Sequence, residues 1–323
     1  MIGIFYILAF IVSVFVLAWL SSSLVKSLVG LAKYLNLREF IVAFFVMAFA
    51  GSLPNLFVGV SSALKGIPQL SFGEIMGGNL VDLTIVMAIA ILMSKNPIQA
   101  KSKMVQTSAL FTGAIAILPM LLAFDGKMSR ADGIILIFAF FTYVLWLFSK
   151  SDRFSKTYAG KPQKPIAGFS GFIKNIVKII ILLVVLIIAS QVVISSAQYF
   201  STYLGVSLSL VGVLIVGLGN CFPETYFSIV SARKKEGYMV LGDLMGSVIV
   251  CATLVLGIVA IICPFTIVDF SPFLIARIFL ILAVIFFLWL IRSDKKLTKK
   301  EGLILLSIYI LFLLVEIFKP AIF

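Results

Sequence analysis

Gly73-Glu74-Ile75-Met76-Gly77-Gly78-Asn79-Leu80-Val81-Asp82 sits inside an apolar run of membrane-crossing length, and 169 residues later Gly242-Asp243-Leu244-Met245-Gly246-Ser247-Val248-Ile249-Val250-Cys251 repeats its pattern. Each stretch follows a proline motif, Gly51-Ser52-Leu53-Pro54-Asn55 in the first case and Asn220-Cys221-Phe222-Pro223-Glu224 in the second. Pro54 precedes Gly77 by 23 residues, and Pro223 precedes Gly246 by the same 23. Prolines, glycines and carboxylates are costly in the bilayer core, so a duplicated set of them marks a place where something polar is bound.

The rest of the chain fits a membrane setting. Hydrophobic residues make up 62% of it and charged ones 12%, with a mean hydropathy of +1.20. A soluble domain carries about a quarter charged residues. Ten apolar spans of about 20 residues, the length that crosses the hydrocarbon core, are expected at 3–24, 40–64, 71–94, 104–124, 131–149, 175–199, 208–232, 238–263, 270–291 and 302–318. The first has no basic residue ahead of it and no cleavage site behind it, so it is expected to be a membrane helix and not a signal peptide.

The net charge of +13 does not indicate nucleic-acid binding, because its distribution follows the membrane. With ten alternating spans, 21 of the 26 Lys and Arg fall on one side, and only Lys65, Lys127, Arg130, Arg277 and Lys319 on the other. Positive residues stay in the cytoplasm, so both termini are expected outside the cell membrane and the basic loops inside. Cys221, Cys251 and Cys263 all fall within spans, which argues against a disulfide framework. The absence of histidine removes the commonest proton shuttle and transition-metal ligand, and no nucleophile pair is evident. The chain is expected not to be an enzyme.

The 169-residue offset reaches beyond the motifs. Tyr34-Leu35 matches Tyr203-Leu204, and Asp132-Gly133 matches Glu301-Gly302. The expected fold is therefore an all-α integral membrane protein of ten transmembrane helices. Residues 1–150 and 170–323 form two five-helix repeats, and 151–169 is a basic, turn-prone cytoplasmic linker. An odd number of spans per repeat inverts the second copy, as in many secondary transporters.

A proline inside a helix frees the carbonyl four residues earlier, here Ala50 and Gly219. In lipid such a carbonyl needs another partner, and a cation is one candidate. Glu224 lies about 16 residues into its span and Asp82 about 11 into its own, which at about 1.5 Å per residue puts both near mid-membrane. Ionised carboxylates at that depth need a proton or a cation. Hard oxygen ligands suit Ca²⁺, Na⁺ and Mg²⁺. Ser52 with Asn55, Asn79 with Asp82, Asn220 with Glu224 and Ser247 with Cys251 are three or four apart, so each pair is expected to share a helix face. Glu74 and Asp243 stand nearer their helix ends, where capping or a role as vestibule ligands is expected.

These motifs resemble the alpha-repeats of the cation/calcium exchanger superfamily, and most of all its prokaryotic sodium/calcium exchangers. The family pattern is Gly-Thr-Ser-Leu-Pro-Glu, then Gly-Asn-x-x-Gly-Ser-Asn with Asn or Asp three further on. The resemblance implies antiport of Ca²⁺ against Na⁺ or H⁺ by alternating access, with the site on helices 2, 3, 7 and 8 and helices 1 and 6 as a sliding gate. It implies inorganic cations and membrane lipids as partners, no resident cofactor and no particular oligomeric state. The implied ligand set is Asp82, Glu224, Asn55, Ser52, Asn79, Asn220, Ser247 and Cys251, with backbone carbonyls at Ala48 and Gly217.

This chain departs from the family at Asn55, where the family has a glutamate, and at Cys251. The departures leave open altered selectivity, or cation binding without transport. Cys221 and Cys251 leave open a softer metal such as Mn²⁺, Zn²⁺ or Cd²⁺. Two central acids imply a nearly electroneutral two-for-one exchange, provided Glu74 and Asp243 stay outside the site.

Overall fold

The computed structural model describes residues 2–34, 39–149, 168–233, 235, 237–267, 270–293 and 295–322. The linker expected at 151–169 lies outside the described residues as far as 167, and a helix begins at Gly168.

The described chain is almost wholly helical. In order it forms α1 (Ile2–Tyr34), α2 (Glu39–Leu64), α3 (Pro68–Met93), α4 (Lys103–Leu122), α5 (Arg130–Ser149), α6 (Gly168–Leu204), α7 (Leu208–Arg233), α8 (237–262), α9 (Phe270–Ser293) and α10 (Lys299–Ile322). Among the described residues eight helices are long and apolar enough to cross a membrane. Most boundaries fall within three residues of the expected spans. The exceptions are α10, which ends four residues later, and α1 and α6, which run to 33 and 37 residues. At about 1.5 Å per residue a 37-residue helix far exceeds the roughly 30 Å hydrocarbon core.

Burial separates inner helices from outer ones. In α3 and α8 83% and 78% of the span is buried, against 28% in α1 and 31% in α6. One hydrophobic core joins α3, α4, α5, α8, α9 and α10, with Phe72, Met87, Leu244, Phe287 and Tyr309 deep inside. A second core lies between α1 and α6 and reaches α2 and α7 through Leu53, Val58, Val211 and Val216. The α1–α6 pair is fastened at both ends. Tyr6 stacks on Tyr199 with ring centroids 4.2 Å apart, and Tyr199 on Tyr203 at 5.7 Å. At the other end Asn175 Nδ2 donates to Ser27 O at 2.7 Å.

Glycine sets the closest helix contact. A Cβ on Gly73 would stand 2.1 Å from Ser209 O, and one on Gly77 2.1 Å from Val213 O, so α3 and α7 touch backbone to backbone. Only glycine permits that approach.

Two short antiparallel ribbons close the ends of the bundle. β1 (Ile98–Gln99) pairs with β4 (Lys296–Leu297), and β2 (Lys127–Met128) pairs with β3 (Phe265–Thr266). They lie at opposite ends of α4, and each joins a loop of the first half to a loop of the second.

Candidate cation site

Four helices bring the motif residues to the interior: α2 (Ser52, Asn55), α3 (Glu74, Asn79, Asp82), α7 (Asn220, Cys221, Glu224) and α8 (Asp243, Ser247, Cys251). Every one of these side chains is buried. Ala48 lies within α2, but its surroundings are outside the described residues.

Local helix irregularity shapes the site. A π turn spans Asp82–Val86 in α3, and another spans Val250–Val255 in α8. Inside them Thr84 Oγ1 donates to Leu80 O, and Thr253 Oγ1 donates to Ile249 O. These residues match at the same 169-residue offset. A hydroxyl that bonds the carbonyl four residues back offers it an alternative to the regular ladder, and π turns inside α-helices cluster at functional sites. A third π turn, Gly212–Val216, precedes Gly217 in α7. The Cys221 N–H then bonds to Gly219 O, the carbonyl Pro223 leaves without its helical donor. A continuous α-helix would use Gly217 O instead. The Gly219 carbonyl expected to be free is therefore taken by Cys221 N–H.

Hydrogen bonds divide the cluster into three groups. On α2 and α8, Asn55 Nδ2 donates to Cys251 Sγ at 3.0 Å, and the Ser52 hydroxyl addresses the same thiol. At the centre, Ser247 Oγ donates to Glu224 Oε1 at 3.3 Å. Asp82 is hydrogen-bonded by Cys221 and Ser247, and the Cys221 thiol also lies 3.5 Å from Gly78 O. In the third group Asn220 Nδ2 donates to Glu74 Oε1 at 2.5 Å. All three cysteines are free thiols.

Two expectations change here. Asn220 does not share a face with Glu224, because the chain turns at Cys221 between them and sends the amide to Glu74. Neither Glu74 nor Asp243 caps a helix. Both lie beyond the first turn and are buried. Thr84 and Thr253 were missed by the sequence reading, although their shared offset and depth were there to find.

The unpartnered polar atoms of the site are mostly acceptors, with Asn79 Nδ2 an unpaired donor beside them. Asp82 Oδ1, Glu224 Oε2, Asp243 Oδ2, Asn55 Oδ1, Asn220 Oδ1 and Glu74 Oε2 are buried with no hydrogen-bond donor. No Lys or Arg pairs with these acids among the described residues. Buried acceptors lacking donors are costly, and a cation is the ligand that satisfies them. Among the described residues no three His, Cys, Asp or Glu side chains converge as a single metal cluster. The acids are interleaved with amides, hydroxyls and carbonyls, which is the donor mixture of hard cations.

Relatives that match over most of this chain are found in archaea and bacteria. The chain is 21% identical to sodium/calcium exchanger MaX1 of Methanosarcina acetivorans, an alignment covering 91% of this chain and 93% of that one. It is 22% identical to inner membrane protein YrbG of Escherichia coli, covering 94% of each. It is 23% identical to putative antiporter CaxA of Alkalimonas amylolytica, covering 79% of this chain and 80% of that one. Its fold matches the sodium-calcium exchanger NCX_Mj soaked with Na⁺ and Sr²⁺, with a TM-score of 0.63 and 21% identity over 96% of this chain and 98% of that one. The profile of the family described as sodium/calcium exchanger protein matches twice, at residues 5–149 and again at 174–318. The second match is displaced from the first by 169 residues at both ends, the same offset that relates the two motif copies. This multi-pass membrane protein belongs to the sodium/calcium exchanger protein family.

Proposed function

We propose that the chain is a secondary active antiporter that moves Ca²⁺ across the cell membrane in exchange for Na⁺ or H⁺ by alternating access. The observation that carries this reading is the pair Asp82 and Glu224. Each is buried near the middle of its helix with one oxygen lacking any donor. Two such carboxylates balance one divalent cation, or two monovalent ones, and the alternation between those loads is exchange. Ser247 orients both acids, and Asn55, Asn79 and the carbonyls at Ala48 and Gly217 complete the ligand set.

The architecture proposed for this cycle has ten membrane helices in two inverted repeats, 1–150 and 170–323, with both termini outside. The ribbons support it. Under the 169-residue offset Lys127 and Met128 of β2 fall on Lys296 and Leu297 of β4, and β1 falls two residues beyond β3, so each ribbon lands on or beside the other. The long α1–α6 pair, packed as its own layer on α2 and α7, is suited to slide across the site.

The test is ⁴⁵Ca²⁺ uptake into proteoliposomes, with an outward Na⁺ gradient and a pH gradient imposed in turn. Gradient-driven uptake supports the reading, and its absence under both gradients sinks it. Orientation has its own check. With native cysteines removed, a cysteine at Tyr158 is expected to react with impermeant reagents from the cytoplasmic side only, and one at Lys127 from outside only.

A further inference from the structure

The central acids are not the only carboxylates at the transport site. Asp243 lies on α8, one turn before Ser247, so the two share a helix face. Ser247 is the residue that bonds Glu224 and Asp82. Asp243 is 7% exposed, its Oδ2 has no donor, and it lies close enough to Asp82 and Glu224 for their charges to interact. Glu74 differs. It is held by Asn220 and shows no such coupling to the central pair.

We infer that Asp243 supplies the third negative charge of the transport site and holds one monovalent co-ion beside the Asp82–Glu224 centre. This rests on the exchanger reading above and goes further by assigning a residue and a charge balance. The three acids do not close on one point, so Asp243 does not share the divalent ion. Its place is a separate subsite, one turn nearer the Gly237 end of α8. Three monovalent ions neutralise Asp82, Glu224 and Asp243 together, whereas one Ca²⁺ leaves a single negative charge behind. A buried charge is tolerated far less well than a neutral load, so the monovalent load is expected to be three ions. Exchange then moves net charge, contrary to the two-for-one expectation drawn from Asp82 and Glu224 alone.

The experiment uses the full chain in proteoliposomes, with membrane potential clamped by K⁺ and valinomycin and ⁴⁵Ca²⁺ flux recorded against an Na⁺ gradient. Wild type is expected to reverse at the potential for three Na⁺ per Ca²⁺. Asp243→Asn is expected to retain flux that no longer responds to voltage, and Glu74→Gln to keep the wild-type reversal potential. A voltage-insensitive wild type, or an Asp243→Asn variant reversing where wild type does, overturns the inference. A second measurement counts bound ²²Na⁺ per chain in detergent. Three ions in wild type and two in Asp243→Asn support the inference, and equal counts overturn it. This count decides the inference even if the variant is inactive. If wild type moves no Ca²⁺ under any gradient, the exchanger reading fails and the ²²Na⁺ count still decides the role of Asp243.

Discussion

Glu74 and Asp243 occupy matching positions in the two halves, yet their surroundings treat them differently. Glu74 meets the Asn220 amide across the tight α3–α7 contact. The residue that matches Asn220 in the other half is Gly51, which has no side chain to offer; each acid keeps one bare oxygen, but only Glu74 has its other oxygen held by an amide. Duplication supplied the same position twice. A single partner, present in one half and missing in the other, separates an acid tied into helix packing from an acid free to meet an ion.

The strongest way to break this comparison is to remove the central charges. Glu224→Gln and Asp82→Asn each take from the proposed bound cation one of its buried counter-charges, a loss of about 3–5 kcal/mol in the loaded state. Ca²⁺ uptake is expected to fall by about 100-fold or more in both. Near-normal flux in either, with a large loss in Glu74→Gln, would reverse the assignment of the acids.

The helix contacts offer a sharper probe. Gly73→Ala forces a Cβ to within 2.1 Å of Ser209 O, whereas at the matching Gly242 nothing lies within 4 Å. Gly73→Ala is expected to destabilise by about 1–3 kcal/mol or more through overpacking. Gly242→Ala is expected to be neutral, or to gain up to about 1 kcal/mol from helix propensity. Thermal unfolding of the two variants in the same detergent checks both. Equal losses would show that the two halves are packed alike.

Removing the amide comes next. Asn220→Ala strands Glu74 in the interior, and an unsatisfied buried acceptor costs about 1–3 kcal/mol. A lowered unfolding midpoint that Glu74→Gln does not share is the expected result. The smallest effect is expected from Gly51→Asn, which puts an amide at the position matching Asn220. It is expected to weaken Na⁺ activation of flux by several-fold, read from uptake against Na⁺ concentration. An unchanged Na⁺ dependence would show that position 51 does not reach Asp243.

Much of this was legible in the sequence because two signals were strong. Apolar run length located the helices to within a few residues, and the fixed offset between Pro54–Gly77 and Pro223–Gly246 located four site-forming helices. What the sequence hid came from breaks in helical phase. Asn220 and Glu224 are four apart, and in an unbroken helix they would face the same way. Pro223 and the turn at Cys221 rotate one away from the other. The π turns at Asp82–Val86 and Val250–Val255 interrupt α3 and α8 in turn, and no residue spacing announces them. Glu74 was hidden for another reason. An acid some way into a helix reads as near the surface until the neighbouring helix is known to lie against it.

The two ribbons bear on how the molecule is made. Ile98 pairs with Leu297, and Lys127 with Thr266, so neither ribbon can form until the second half has left the ribosome. The first half therefore enters the membrane with both of its loop edges waiting for partners. During synthesis it depends on chaperoning or on speed. The same dependence means that the halves, expressed as separate polypeptides in one cell, carry the edges needed to find each other.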